Sequence, residues 1–314
     1  MSAPVIWRPQ PKQAAFMRRP EPEALYGGAA GGGKSDALVV EALRQVHIPH
    51  YRGLILRKTY PQLSDLVDKS LVYYRQAFPA AQYNATGHVW TFPSGAKIYF
   101  GSMQYTKDRT NYQGKAFDFI GFDELTHFEW EEYSYMMSRN RPTGPGTRVY
   151  LRATTNPGGV GHGWVKARFI TPAPPGTPIV EECSVQLPDG STKLFRRARV
   201  FIPSSVFDNP ALLHNDPDYL ASLARKRKSR RCSMAAGTAF PGRCLPSGAT
   251  TQPIIRTSAG PMWSLRFPSR GTGRSGGDTI LGFPSLSRWG GMRQMRTGGS
   301  IGSRSCTAAP AAQT

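Results

Sequence analysis

The sequence predicts an α/β domain of three layers built on a mainly parallel sheet, followed by a basic tail of different character. Three observations carry this reading. A glycine-rich loop stands between a short apolar run and a helical run, Ala24-Leu25-Tyr26 before it and Asp36 to Gln45 after it. A later apolar run, Phe117 to Phe122, ends in two adjacent carboxylates, Asp123 and Glu124. Charge also changes abruptly: the first 224 residues carry +6, whereas residues 225–314 hold 15 Lys/Arg against one acid, Asp278.

The loop is Gly28-Ala29-Ala30-Gly31-Gly32-Gly33-Lys34-Ser35. It fits the G-x-x-x-x-G-K-[ST] pattern, in which backbone N–H groups cradle phosphates, the lysine reaches the β/γ-phosphates and the hydroxyl meets Mg²⁺. Strand before and helix after are the context this pattern requires, and the helix N-terminus adds its dipole to the anion site. A flexible linker has no need of Lys-Ser followed at once by a helix. Upstream, Pro11 opens a helix that ends before the strand at Ala24. Gln10 or Gln13 could face a nucleobase, because an amide donates and accepts side by side; an exposed polar residue is the plainer reading of either.

Downstream, Gly53 to Arg57 reads as a second buried strand. Pro61 opens a helix to about Phe78, with Leu63, Leu66, Val67, Leu71 and Tyr74 at helical spacing. His88 to Phe92 and Lys97 to Ser102 form a hairpin whose aromatics belong to the core. The segment Asp108 to Lys115 is polar and loop-like. The strand ending in Asp123-Glu124 then supplies the second half of a nucleotide site: Asp123 for Mg²⁺ and Glu124 to polarise the attacking water. A helix from about Glu129 to Arg139 precedes a strand, Arg148 to Thr154, which ends in Thr155-Asn156-Pro157. A polar group at that tip can sense a γ-phosphate and relay its loss. A short helix from Trp164 to Ile170, a hairpin about Leu187-Pro188-Asp189-Gly190 and a helix near Pro217 to Ala224 complete the domain.

Composition bounds the rest. A chain of 314 residues with 39% hydrophobic and 11% aromatic content can bury a core. No apolar run nears the roughly 18 residues of a membrane span and no signal pattern opens the chain, so a soluble, cytoplasmic protein is expected. Four cysteines without C-x-x-C spacing and six unclustered histidines argue against a zinc site or a disulfide framework.

The ordered set of phosphate loop, Leu54-Ile-Leu-Arg-Lys-Thr-Tyr-Pro61, Asn111-Tyr-Gln-Gly114, Ile120-Gly-Phe-Asp-Glu124 and Thr154-Thr-Asn-Pro157 resembles the ATPase half of the phage large terminase subunit. The resemblance covers about residues 5 to 224. It implies a RecA-like fold of the additional-strand class, with ATP and Mg²⁺ as cofactors and DNA translocation into a procapsid as the work. Residue by residue, it puts phosphate on Gly28 to Gly33 and Lys34, Mg²⁺ on Ser35 and Asp123, catalysis on Glu124, and coupling on Thr154, Thr155 and Asn156. It also implies an arginine that stabilises phosphoryl charge. Arg109 is the first candidate and Arg57 the second, because the usual basic residue before Gly114 is here Gln113. Implied partners are double-stranded DNA, a small terminase subunit, a portal protein and copies of the same chain in a ring, within the cytoplasm of a bacterial host.

The family's nuclease half is expected to be missing, since two-metal cleavage needs several carboxylates and only Asp278 follows residue 224. Residues 225–314, rich in Arg, Gly, Ser and Pro without hydrophobic periodicity, read as a disordered tail. A basic DNA-binding tail is one account. The favoured one is translation in a shifted frame: Lys226 to Cys244 is compatible with codons that regroup, one base earlier, to Glu-Ala-Glu-Lys-Gln-Ala-Leu-Leu-Tyr-Gly-Gly-Trp-Asp-Ser-Phe-Ser-Gly-Gln-Val, which resembles the family's link to its nuclease. Two rivals to the packaging motor remain. One is another nucleic-acid motor such as a helicase, for which further motifs are missing; the other is a remnant that binds DNA without turnover.

Overall fold

The computed structural model describes residues 5–223. The expectations for the tail therefore lie outside the described residues, as does the reading of Cys232, Cys244 and Cys306; Cys183 is a free, exposed thiol.

Among the described residues one nine-stranded sheet runs through the domain. In chain order its strands are β1 (Glu23–Gly28), β2 (Arg52–Arg57), β3 (Gln82–Asn84), β4 (Val89–Thr91), β5 (Lys97–Ser102), β6 (Phe119–Phe122), β7 (Tyr150–Thr155), β8 (Ile179–Gln186) and β9 (Thr192–Ser204). Their order in space is β3-β4-β5-β2-β6-β7-β1-β9-β8. The six central strands, β5 to β9 in that order, are all parallel. Antiparallel partners close the edges, β4 and β3 at one side and β8 at the other. This is the mainly parallel α/β fold expected, and β7 stands between β1 and β6, so an additional strand separates the phosphate loop from the carboxylate pair.

The helices are α1 (Pro11–Met17), α2 (Lys34–Glu41), α3 (Tyr60–Ala77), α4 (Trp130–Arg139), α5 (His162–Val165) and α6 (Pro210–Asn215). Strand alternation divides the core into two layers. On one face Ile55, Phe119 and Tyr150 pack with Leu38 and Val39 of α2, Leu63, Leu66 and Tyr74 of α3, and Trp90. On the other, Leu54, Leu56, Ile120, Phe122, Leu151 and Ala153 pack with Tyr133 and Met136 of α4, and with Val165 and Phe169. Trp90 and Phe92 are buried, so the hairpin aromatics are core, as expected.

Some boundaries differ from the sequence reading for local reasons. β3 is only three residues long and adds a strand to the hairpin. Thr106–Tyr112 forms a tight helical turn rather than a loop, fixed where Asp108 Oδ2 accepts the Tyr105 amide at 2.9 Å. Helix α6 precedes the expected C-terminal helix because Asn209 accepts the Leu212 N–H and Pro210 follows it at the first helical position; residues 219–223 are helical beyond it. No helix of the described residues is long and apolar enough to cross a membrane.

Candidate nucleotide site

The phosphate loop leaves the C-terminal end of β1 and enters α2, with three of its carbonyls held from three directions. Tyr26 Oη donates to Gly32 O at 3.0 Å. Asn209 Nδ2, from the turn after β9, donates to Gly31 O at 2.8 Å. Gln13 Nε2, from α1, donates to Gly33 O at 2.6 Å. With these carbonyls engaged by the protein, the loop's N–H groups are what it offers to an anion. Gly33 lies in the left-handed region, at φ 65°, and a Cβ there would stand 2.5 Å from Gln13 Nε2. Glycine is therefore required on both counts.

Gln13, one of the two candidates for facing a nucleobase, is tied to the loop. Its Oε1 accepts the Gln10 N–H at 2.7 Å while its Nε2 serves Gly33, so both ends of the amide are used within the protein. It braces the loop from α1.

Lys34 is buried at the start of α2, and its Nζ donates to Ala29 O across the loop. Burial lowers its pKa below the ordinary lysine value, against the opposing pull of Glu124 and Asp123. A phosphate in the loop would favour the charged form further.

Asp123 is where the site converges. It follows β6 and is 1% exposed. Ser35 Oγ lies 3.2 and 3.3 Å from its two carboxylate oxygens. Thr154 Oγ1, from the end of β7, donates to Oδ1. Arg57 Nη1, from the end of β2, is 2.9 Å from Oδ2. These groups come from residues scattered between 35 and 154, and they meet because β2, β6, β7 and β1 are neighbours with their C-terminal ends together.

Glu124 has φ 56° and ψ 58°, the left-handed region, where a non-glycine residue carries strain of roughly 1–3 kcal/mol. The tip of β7 holds it there. Asn156 N and Nδ2 donate to its two carboxylate oxygens at 3.0 and 2.6 Å. Thr155 Oγ1 accepts the Thr126 amide at 3.4 Å, so Thr154, Thr155 and Asn156 grip both acids and the turn behind them. Of the three coupling candidates, Thr154 touches Asp123 and Asn156 touches Glu124, whereas Thr155 reaches only the turn behind them, at Thr126.

The two candidate arginines occupy different surroundings. Arg109 sits in the Thr106–Tyr112 turn with its guanidinium over the Tyr135 ring of α4, 5.9 Å from the centroid. Arg57 is the one joined to Asp123. Sequence reasoning also missed Tyr26, Ser204 and Asn209 as supports of the loop; only Asn209-Pro210, a helix-start pair, carries a local signal.

The Ser35 hydroxyl and Asp123 carboxylate are hard oxygen donors on one side of the loop, which suits Mg²⁺. That ion takes one or two protein oxygens and completes its shell with water and phosphate. Among the described residues no group of three or more His, Cys, Asp or Glu is arranged to hold a metal, and a phosphate-borne Mg²⁺ does not require one.

A family model described as "Terminase large subunit, T4likevirus-type, N-terminal" matches residues 25–236, ending beyond the Ala224 boundary. No curated protein matches the chain. Among solved structures, the large terminase of a thermophilic bacteriophage is similar at 14% identity and a TM-score of 0.44, over 67% of this chain and 48% of that one. The same phage protein in complex with ATP-gamma-S gives 16% identity and 0.44, over 67% and 47%. The ATPase domain of the Thermus phage P74-26 large terminase gives 15% and 0.46, over 67% and 86%. The chain thus spans about half the length of the first of these large terminases.

Proposed function

The chain belongs to the terminase large subunit family, and from that premise we propose that residues 1–224 form an ATPase motor that moves viral double-stranded DNA into procapsids. The observation that carries the proposal is the convergence of Ser35, Thr154 and Arg57 on Asp123, beside a glutamate held in a strained backbone by Asn156. In this reading the loop N–H groups and Lys34 bind the β/γ-phosphates of ATP, Lys34 exchanging its Ala29 carbonyl for a phosphate oxygen. Ser35 and Asp123 hold Mg²⁺, which when bound neutralises charge on the phosphate oxygens. Glu124 orients and polarises the attacking water. Thr154, Thr155 and Asn156 join both acids to β7, so a change at the phosphate reaches the strand between the two motifs.

The small terminase subunit, a portal protein and a ring of like subunits are the partners this role requires in the family. DNA cleavage is not proposed for these 314 residues, because Asp278 is the one acid after residue 224. A DNA-binding remnant without turnover is the second reading, favoured by the +14 charge of residues 225–314. ATP turnover of the purified chain, with and without duplex DNA, separates them. Turnover that Lys34→Ala abolishes supports the motor; DNA binding with no turnover supports the remnant.

A further inference from the structure

We infer that Arg57 is a built-in competitor of the metal at Asp123, holding this carboxylate until a metal cation takes it. The inference rests on the proposed role of Asp123 as the Mg²⁺ acid. The register of β2 on β6 sets Leu56 opposite Phe122, and Asp123 N donates to Leu56 O at 2.9 Å. Arg57 is thereby delivered beside the acid by the sheet itself.

The pair differs from the structural ion pairs of the same fold. Arg44 grips Glu41 through Nε and Nη2, at 2.8 and 2.7 Å, and Arg168 grips Glu23 in the same two-pronged way at 2.9–3.1 Å. Among the described residues Arg57 reaches Asp123 through Nη1 alone, and its buried Nε has no hydrogen-bond partner. An unmet buried donor is costly, which disfavours this contact as a permanent strut. Asp123 meanwhile faces a serine hydroxyl on the loop side, so one carboxylate is offered both to a guanidinium and to a metal. Two cations cannot share it closely without repulsion. When the metal wins, Arg57 needs another anion. Glu124 is occupied by Asn156 through both oxygens, which leaves the nucleotide phosphates as the acceptor. Arg57 would then aid phosphoryl transfer only after metal has bound, tying charge stabilisation to a loaded site.

The test uses the full chain, Mn²⁺ and saturating ADP, with free Mn²⁺ read by electron paramagnetic resonance. Arg57→Gln should bind Mn²⁺ about ten-fold more tightly than the parent, the size of effect a single neighbouring charge exerts. Arg57→Lys, which keeps the charge, should stay within about two-fold of the parent, as expected if charge sets the competition. In the parent protein, Mg²⁺ with ADP should shift the Arg57 Nε–Hε resonance, and ADP with EDTA should not; this arm stands even if a variant fails to fold. Equal or weaker Mn²⁺ binding in Arg57→Gln, or a resonance indifferent to the metal, overturns the inference. Asp123→Ala separates the two levels: unchanged Mn²⁺ binding there overturns the metal role of Asp123 itself.

Discussion

The phosphate loop's support from β9 can be tested at Gly32. A Cβ on Gly32 would stand 1.8 Å from Ser204 Oγ and 3.2 Å from Ser204 Cβ, whereas its φ is not in the left-handed region. Gly32→Ala should therefore fail for want of space and not for backbone strain. Forcing one methyl into a packed site costs typically about 1–3 kcal/mol. For a domain of this size that is a fall of roughly 2–12 °C in melting temperature, at about 2–4 °C per kcal/mol. Ser204→Ala removes the clashing oxygen and loses a marginal 3.5 Å contact to Gly32 O and a hydrogen bond to the Tyr26 hydroxyl, so alone it should cost about 1 kcal/mol. The remaining 3.2 Å carbon contact is tight but can relax by a few tenths of an ångström. The double variant should thus sit close to Ser204→Ala, with a coupling of at least about 1 kcal/mol in a double-mutant cycle. Urea melts and ADP binding of all four proteins supply the measurement. A Gly32→Ala protein as stable as the parent, or a double variant no better than Gly32→Ala, refutes the placement of Ser204 against the loop.

Other perturbations follow from the same geometry. Arg152, fully buried on β7, donates to the carbonyls of Leu151, Glu21 and Arg19, and burial lowers its pKa to about 10; Arg152→Ala leaves those acceptors unmet and should cost about 1–3 kcal/mol in urea, a protein as stable as the parent contradicting it. Lys34 has a depressed pKa in the free protein, so between that value and the ordinary one the folded state is less protonated than the unfolded state, and stability should rise with pH across that window. Phosphate reverses the shift, so ADP binding there should take up a proton that Lys34→Met does not, read by calorimetry in buffers of different ionisation enthalpy. Binding of duplex DNA by the whole chain should fall steeply with salt, because 15 basic residues after Ala224 displace counterions; salt-independent binding would show another mode.

The parts of the site that sequence revealed are those whose chemistry is local. Gly28 to Ser35 is one contiguous loop with its strand and helix attached, and Asp123-Glu124 ends an apolar run. What sequence did not reveal was the pairing of Arg57 with Asp123. That depends on β2 lying beside β6, an adjacency created by the sheet and not by spacing along the chain; Arg109, nearer in sequence, is carried by its turn onto Tyr135 instead. The bracing of the loop by Gln13 was hidden for a related reason: its amide joins the start of α1 to Gly33, 20 residues on. The position of β7 between β1 and β6 came only through the family resemblance. No residue of Tyr150 to Thr155 encodes its neighbours by itself, and the insertion is what carries Thr154 and Asn156 to the two acids.

The central claim is that Glu124 polarises water while Lys34 and the loop bind ATP. It is tested most directly by measuring ATP binding and single-turnover hydrolysis in parallel for the parent, Lys34→Ala and Glu124→Gln. The amide of Glu124→Gln can still pair with Asn156 but cannot polarise water, so this variant should bind ATP with near-parental affinity and turn over at least about 100-fold more slowly. Lys34→Ala should lose both binding and turnover. Hydrolysis by Glu124→Gln at the parental rate would contradict the account.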